Sequence, residues 1–163
     1  MSSNIIVNNA DGTCWITISR EQKANALLID DCVAIGKHVE EATSNPETKA
    51  IVFTGTGNRS FSAGMDVGTF LELNGSSARP FIAKLKDMLN TVRMAPLPTI
   101  AGINGACIGG ALELVLDLAD RHVAQVRVGP GVVGELVAGG VDLLEDPGEA
   151  PDQPPTDEEG ALD

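Results

Sequence analysis

Residues 49–66 have the sequence KAIVFTGTGNRSFSAGMD, in which a short apolar run passes into a loop and then into a glycine turn. The run Lys49–Thr54 has the composition of a buried strand. The same order recurs where the predicted strand Thr99–Ile103 (TIAGI) leads into a glycine-rich turn over Gly105–Gly110. A helical apolar pattern over Ser77–Met94 separates the two. Strands that alternate with helices predict an α/β fold with a largely parallel sheet and crossover helices.

The flanking segments extend this pattern. Asn4–Asn8 and Thr13–Ser19 predict an N-terminal hairpin, since a turn signal, Ala10-Asp11-Gly12, lies between them. Further helices are expected over Leu27–Ser44 and Gly110–Leu118. For the first of these, Asp31 is expected outside a core stripe that consists of Ile29, Cys32, Val33, Ile35 and Val39. For the helix over residues 77–94, Ser77 is the expected N-cap of a face formed by Phe81, Leu85, Met88, Leu89 and Val92.

Composition excludes several classes of function. The chain has 163 residues, of which 43% are hydrophobic and 3% aromatic, and a net charge of −12. This length suits one domain with a core, and so few aromatic residues argue against a base-stacking surface. The acidic balance argues against nucleic acid or an anionic membrane as the main partner. Three widely spaced cysteines and an N-terminus without a signal-peptide pattern predict reduced, buried thiols in a cytoplasmic protein.

The charge is concentrated at one end of the chain. Residues 1–124 contain 10 basic and 13 acidic residues, whereas residues 125–163 contain one arginine and 10 acidic residues. This shift predicts a folded domain over 1–124 and an acidic, Gly/Pro-rich tail over 125–163 that is largely disordered. Five residue types with a common first codon base, Val, Ala, Asp, Glu and Gly, supply 26 of the 39 tail residues. Two hypotheses explain this composition: the tail is a frame-shifted reading of the DNA, or it is a natural acidic linker.

Two glycine-containing turns are the candidate sites of chemistry. Residues 62–66 (SAGMD) and 104–110 (NGACIGG) each follow the carboxyl end of a predicted strand, where parallel α/β sheets place ligands. Glycine lets the backbone approach a ligand closely, and a helix that starts at Gly110 adds its positive dipole end. Peptide N–H groups from two such turns can stabilise a developing oxyanion. Either turn alone is better explained by tight packing.

Glu113 lies about one helical turn after Gly110 and is the candidate acid or base. A glutamate at this position also favours the N-terminus of a helix through capping and the macrodipole. Spacing alone leaves these two interpretations equal. The sequence has no P-loop, no nucleophile elbow and no His/Cys/carboxylate cluster with metal spacing, so no metal site is predicted. His38 and His122 are interpreted as solvated or core histidines.

The motifs in combination resemble the enoyl-CoA hydratase/isomerase (crotonase) family, over about residues 5–124 and in the order that the family has. The resemblance covers about the first half of a usual member, so the acyl-CoA-binding domain is expected to be incomplete. The matching segments are 12–18 (GTCWITI), 23–27 (KANAL), 51–55 (IVFTG), 60–66 (SFSAGMD), 101–105 (AGING) and 109–114 (GGALEL).

The resemblance implies a crotonase-like ββα-superhelix and acyl-CoA thioesters as substrates. By motif position, the N–H groups of Met65 and Gly110 would form an oxyanion hole for the thioester carbonyl. It also implies that CoA itself belongs to the substrate and that no metal or redox cofactor is required. The family suggests a homotrimer or hexamer. The residues that would contact CoA are Lys23, Ala24, Ala26, Ser62 and Ala63.

The resemblance further assigns Glu113 to one of the two glutamates with which hydratases activate water and protonate the α-carbon. The second belongs to an F-G-x-P-E segment that is missing from this sequence, and Glu135 matches that glutamate only loosely. The expected function is that of a lyase of fatty acid metabolism that adds water to 2-enoyl-CoA. The alternatives are isomerase, dehalogenase or thioester hydrolase chemistry, or a non-catalytic remnant that binds acyl-CoA. A Clp-like serine peptidase is disfavoured because no serine nucleophile motif is present.

Overall fold

The structure is a computed structural model that describes residues 4–119, with side chains as far as residue 115. Its elements form three strand–strand–helix repeats, and the second repeat contains two helices. The elements in chain order are β1 (Ile5–Ala10), β2 (Thr13–Ile18), a 3₁₀ turn (Glu21–Lys23), α1 (Ile29–Ser44), β3 (Ala50–Gly55), β4 (Ser60–Ser62), α2 (Val67–Leu71), α3 (Ala78–Arg93), β5 (Thr99–Gly102), β6 (Ala106–Cys107) and α4 (Gly110–Ala119). The predicted tail over 125–163, with Glu135, and His122 lie outside the described residues.

The strands form two sheets. The larger sheet has the order β1-β2-β3-β5, in which β1 and β2 are antiparallel and β2, β3 and β5 are parallel. The short strands β4 and β6 pair in parallel in the second sheet. The predicted hairpin and the largely parallel sheet are therefore confirmed. Since β3 and β5 are adjacent and parallel, the chain leaves both at the same edge, and the two glycine turns become neighbours.

One face of the larger sheet supplies the core. Ile16, Phe53 and Ala101 are direct cross-strand neighbours on β2, β3 and β5, and each is fully buried. Helix α1 adds buried side chains at Cys32, Ile35 and Val39, as its stripe predicts. Each buried large aliphatic or aromatic side chain stabilises the fold by about 1.5–3 kcal/mol. This packed layer is the rigid base from which both turns extend.

Helix α1 differs from its prediction at two positions. Val33 is 49% exposed, whereas Asp31 is only 1% exposed. The Asp31 carboxylate accepts hydrogen bonds from the backbone N–H groups of Leu28 and Asn4, at 2.8 Å each. Asp31 is the third residue of the helix, where a carboxylate can bond back to the residue that precedes the helix. It thereby ties the start of α1 to residue 4, at the start of the N-terminal strand, and these bonds explain why a carboxylate is buried on the inward side of the helix.

The entry to helix α3 also differs from its prediction. Ser77 makes no side-chain capping bond to α3; its Oγ accepts from the Asn74 N–H at 2.9 Å. The Asn74 Oδ1 in turn accepts from the N–H groups of Ser76 and Ser77, so a local turn precedes the helix. The predicted apolar face of α3 is confirmed, with Phe81, Met88 and Val92 buried. Across residues 4–119, none of the helices is long and apolar enough to span a membrane.

Candidate active site

The two glycine turns touch through their backbones. Gly64 has φ +83°, and a Cβ placed there would lie 2.7 Å from the Gly110 nitrogen and 2.8 Å from the Ile108 carbonyl oxygen. Both distances are shorter than real Cβ contacts allow. The Ile108 N–H also donates to the Ser62 carbonyl at 3.1 Å. Only glycine fits at position 64, because the conformation is left-handed and the opposite turn occupies the space of a side chain.

The Met65 amide is oriented by its neighbour Leu27. The Leu27 N–H donates to the Gly64 carbonyl at 2.8 Å, and the Asp66 N–H donates to the Leu27 carbonyl at 2.9 Å. In a planar trans peptide, the C=O of residue 64 and the N–H of residue 65 point in opposite directions. The Met65 N–H therefore points away from Leu27, and it donates to no acceptor among residues 4–119.

The Gly110 amide is the second donor. Gly110 is the first residue of α4, so its N–H has no partner within the helix and lies at the positive end of the macrodipole. Within the described chain it donates to no other acceptor. A Cβ on Gly110 would lie 3.9 Å from the Met65 nitrogen, so the first residue of α4 lies beside the Met65 peptide. Two neighbouring donors that lack partners within residues 4–119 are the arrangement that a site for an anionic or polarised oxygen requires.

Glu113 lies in the first turn of α4 and is exposed. Its backbone N–H approaches the Gly109 carbonyl at 3.4 Å, but its carboxylate has no hydrogen bond or ion pair with any residue from 4 to 119. The capping interpretation requires a side-chain hydrogen bond to the helix start, and that bond is absent from this part of the chain. Within residues 4–119, the carboxylate therefore contributes only its charge at the helix N-terminus.

The segment assigned to CoA runs beside the first turn. The Ala63 N–H donates to the Ala24 carbonyl at 2.9 Å, so residues 24–27 lie along residues 63–66. Lys23 and Ala24 are exposed and Ala63 is half-buried, whereas Ala26 is buried. These residues are brought together as the motif positions imply. A contact between them and a ligand stays a prediction.

Ser62 departs from its expected place in the ligand groove. The residue is fully buried, and its Oγ donates to the Asn25 carbonyl at 2.7 Å while accepting from the Gly64 N–H at 3.1 Å. Both functions of the hydroxyl are therefore used inside the fold. Ser62 supports the turn from beneath and presents no surface to a ligand, because it lies on β4 with its side chain toward the interior.

Asn25 is a site-supporting residue that pattern analysis did not single out. It is fully buried with φ +55°, and its Nδ2 donates to the carbonyls of Thr56 (3.0 Å) and Ser60 (2.8 Å). Its Oδ1 accepts from the Arg20 N–H at 3.0 Å. One amide side chain thus joins three segments around the first turn. The available signal was a lone polar residue between alanines in 23–27, since asparagine is the residue other than glycine that best tolerates a left-handed backbone.

Replacing Asn25 by alanine is expected to lower the free energy of unfolding by about 2–3 kcal/mol, because buried polar backbone groups lose their partners. Chemical denaturation followed by circular dichroism measures this change. Asn58→Ala is the matched control, since Asn58 is exposed and such surface changes stay within about 0.5 kcal/mol. Equal stability of the two variants would show that the Asn25 bonds do not hold the turn.

The cysteines have no sign of nucleophilic activation. Burial raises the pKa of Cys32 to about 12, with the nearby Asp31 charge adding to the effect, and burial raises the pKa of Cys107 to about 11. Burial also raises the pKa of Cys14. Thiolate is the reactive form, so these thiols are inert near neutral pH. Over residues 4–119, no group of three or more His, Cys, Asp or Glu side chains is placed to hold a metal ion.

Comparisons with known proteins bear on the family and the fold. The family model described as enoyl-CoA hydratase/isomerase matches residues 8–126. A crotonyl-CoA hydratase of Syntrophomonas wolfei is 30% identical over 135 residues, which cover 79% of this chain and 52% of the relative. A mitochondrial methylglutaconyl-CoA hydratase of Mus musculus is 30% identical over 127 residues, with coverages of 78% and 40%. The chain therefore spans about half the length of the curated relatives that it matches.

Solved structures give the same result for the fold. An enoyl-CoA hydratase from Bacillus anthracis superposes with a TM-score of 0.68 at 28% identity, over 75% of this chain and 47% of that one. DspI of Pseudomonas aeruginosa superposes with a TM-score of 0.70 at 28% identity, over 78% and 48%. The expected crotonase-like fold is confirmed.

Proposed function

Because the chain belongs to the enoyl-CoA hydratase/isomerase family, we propose that it binds 2-enoyl-CoA thioesters and adds water across their double bond. The observation that carries this proposal is that the neighbouring N–H groups of Met65 and Gly110 donate to no acceptor within residues 4–119. Such a pair suits one carbonyl oxygen whose negative charge increases during a reaction. A thioester carbonyl conjugated to a double bond is an oxygen of this kind.

In the proposed reaction, both amides donate to the thioester oxygen and withdraw electron density from the β-carbon. Water attacks the β-carbon, Glu113 accepts a proton from that water, and the charge moves to the oxygen as an enolate. Transfer of that proton from Glu113 to the α-carbon restores the carbonyl, completes the addition of H and OH, and regenerates the Glu113 carboxylate. Each N–H donor contributes about 3 kcal/mol to transition-state stabilisation. The exposed segment at Lys23 and Ala24 would contact the CoA portion.

A second candidate function, acyl-CoA binding without turnover, is favoured by the exposure of Glu113. A carboxylate in open water lacks the dry surroundings that strengthen electrostatic interactions in an active site. The donor amides would still bind the thioester oxygen, since their orientation depends on the turns and not on Glu113. The two candidates thus share a binding site and differ in the fate of the ligand.

One experiment on the purified chain separates the two. Calorimetry with crotonyl-CoA and with free CoA measures binding, and the loss of enoyl absorbance measures hydration. We expect tighter binding of crotonyl-CoA than of CoA, because only the thioester offers an oxygen to the amides, together with turnover. Binding without absorbance loss would support the second candidate. Equal affinity for the two ligands would contradict both.

A further inference from the structure

One nitrogen of the Arg20 guanidinium connects two segments of the site. Its Nη1 lies 2.6 Å from Asp66 Oδ2 and 3.3 Å from the Ala26 carbonyl oxygen. The two charged side chains are only 17% and 21% exposed. Solvent therefore screens this ion pair less than it screens a pair on the open surface. The Arg20 backbone is itself fixed, because its N–H donates to the buried Asn25 side chain.

The two segments joined by Arg20 are those that orient the first oxyanion donor. Ala26 precedes Leu27, and Asp66 follows Met65, so the guanidinium spans the Leu27–Met65 bridge. The direction of the Met65 N–H is set by that bridge. Relative rotation of the two segments would turn this donor away from the Gly110 amide, and the Arg20 contacts oppose such a rotation.

The charge of Asp66 gives the pair a second consequence. Asp66 is adjacent in sequence to a donor that would bind a negative oxygen, and an uncompensated carboxylate at that position opposes such charge. The Arg20 guanidinium bonds the carboxylate directly and, together with the Gly68 N–H, holds the pKa of Asp66 below its ordinary value. The carboxylate also caps α2 through the Gly68 N–H at 2.8 Å. Arg20 thus allows an acidic helix cap to lie next to an oxyanion site.

We propose that Arg20 and Asp66 are a positioning pair, which holds the Met65 N–H toward the ligand oxygen and cancels the carboxylate charge beside it. This inference rests on the proposed function, because it requires a thioester oxygen at the two amides. Neither side chain needs to touch the substrate. They act on the ligand in two ways: they fix the orientation of the peptide between residues 64 and 65, and they reduce the negative electrostatic potential beside the ligand oxygen.

The test measures polarisation of the ligand carbonyl directly. Crotonyl-CoA carrying ¹³C at the thioester carbonyl is bound to the purified chain, and the carbonyl stretch is followed by infrared difference spectroscopy. In the unaltered chain we expect a shift to lower frequency relative to free ligand. Arg20→Gln is expected to remove at least half of that shift and to weaken crotonyl-CoA binding about tenfold, with unchanged affinity for free CoA. Arg79→Gln, on the exposed start of α3, is the matched control.

A charge-rescue variant separates positioning from mere structural support. Arg20→Gln combined with Asp66→Asn is expected to regain part of the carbonyl shift, because asparagine keeps a capping oxygen but carries no charge. If Arg20→Gln does not fold, Arg20→Lys serves instead, with a shift smaller than that of the unaltered chain because lysine lacks the planar fork. Three outcomes would overturn this inference alone. They are a full carbonyl shift in Arg20→Gln or Arg20→Lys, a carbonyl shift in the double variant no larger than in Arg20→Gln, and a loss of affinity for free CoA equal to the loss for crotonyl-CoA. An unshifted carbonyl in the unaltered chain overturns the proposed function as well.

Discussion

Glu113→Gln is expected to lower the rate of crotonyl-CoA hydration by about 10²–10⁴-fold, the range that a general acid or base contributes. Glutamine keeps the size of the side chain but cannot accept the proton of the attacking water. The residue is exposed and its carboxylate has no partner within residues 4–119. The free energy of unfolding should therefore change by less than about 1 kcal/mol, the value of a charge at a helix N-terminus. The loss of enoyl absorbance gives the rate, and calorimetry should give an unchanged Kd for crotonyl-CoA.

Glu40→Gln is the control for this variant. Glu40 is also an exposed helical glutamate, but it lies on α1, away from both glycine turns. Its replacement should leave the hydration rate and the crotonyl-CoA affinity unchanged. If Glu113→Gln and Glu40→Gln turn over crotonyl-CoA equally fast, the assignment of Glu113 as the acid or base is wrong.

Gly64→Ala is expected to reduce both the hydration rate and the carbonyl shift of bound crotonyl-CoA, the rate by at least about 10²–10³-fold, which is the effect of losing one donor. The added methyl group would meet the Gly110 nitrogen at 2.7 Å and force the two turns apart. Because one donor belongs to each turn, separation removes the pair and not a single amide. The left-handed backbone adds a strain of about 1–3 kcal/mol, which should appear as a lower free energy of unfolding in denaturant titrations.

Gly75→Ala is the matched control, since a Cβ at Gly75 meets no atom within 4 Å. That variant should retain the rate, the carbonyl shift and the stability of the unaltered chain. A carbonyl shift that persists in Gly64→Ala would mean that the contact between the turns is not what assembles the donor pair.

Sequence patterns predicted β3 and β5 well because both strands lie in apolar runs. The runs at 49–54 and 99–103 differ by one residue at most from β3 and β5 at each end. The sequence does not predict the short strands β4 and β6, since two or three residues carry no measurable periodicity. Helix α2 was missed for the same reason: it has five residues and no buried side chain.

The sequence predicted the backbone turns of the candidate site but not the side chains that hold those turns in place. The glycine turns and Glu113 follow from where they lie along the chain, so their neighbourhood could be inferred from the order of the strands. The bonds that the Asn25 and Ser62 side chains donate could not be inferred, because the carbonyls that accept them are 31 or more residues away. The ion pair between Arg20 and Asp66 spans 46 residues, so local sequence patterns could not predict it either.

The position of Gly110 at the start of α4 has a consequence for how the site can be lost. The amides at 65 and 110 come together through packing and share no local hydrogen bond. Side chains of α4 that anchor the helix within the described residues are Ala111, Leu114 and Val115. Fraying of this one helix would abolish anion recognition while the four-stranded sheet stayed intact, because local opening is cheaper than global unfolding. The free energy of opening α4, which controls ligand binding, is therefore distinct from the free energy of unfolding the whole domain.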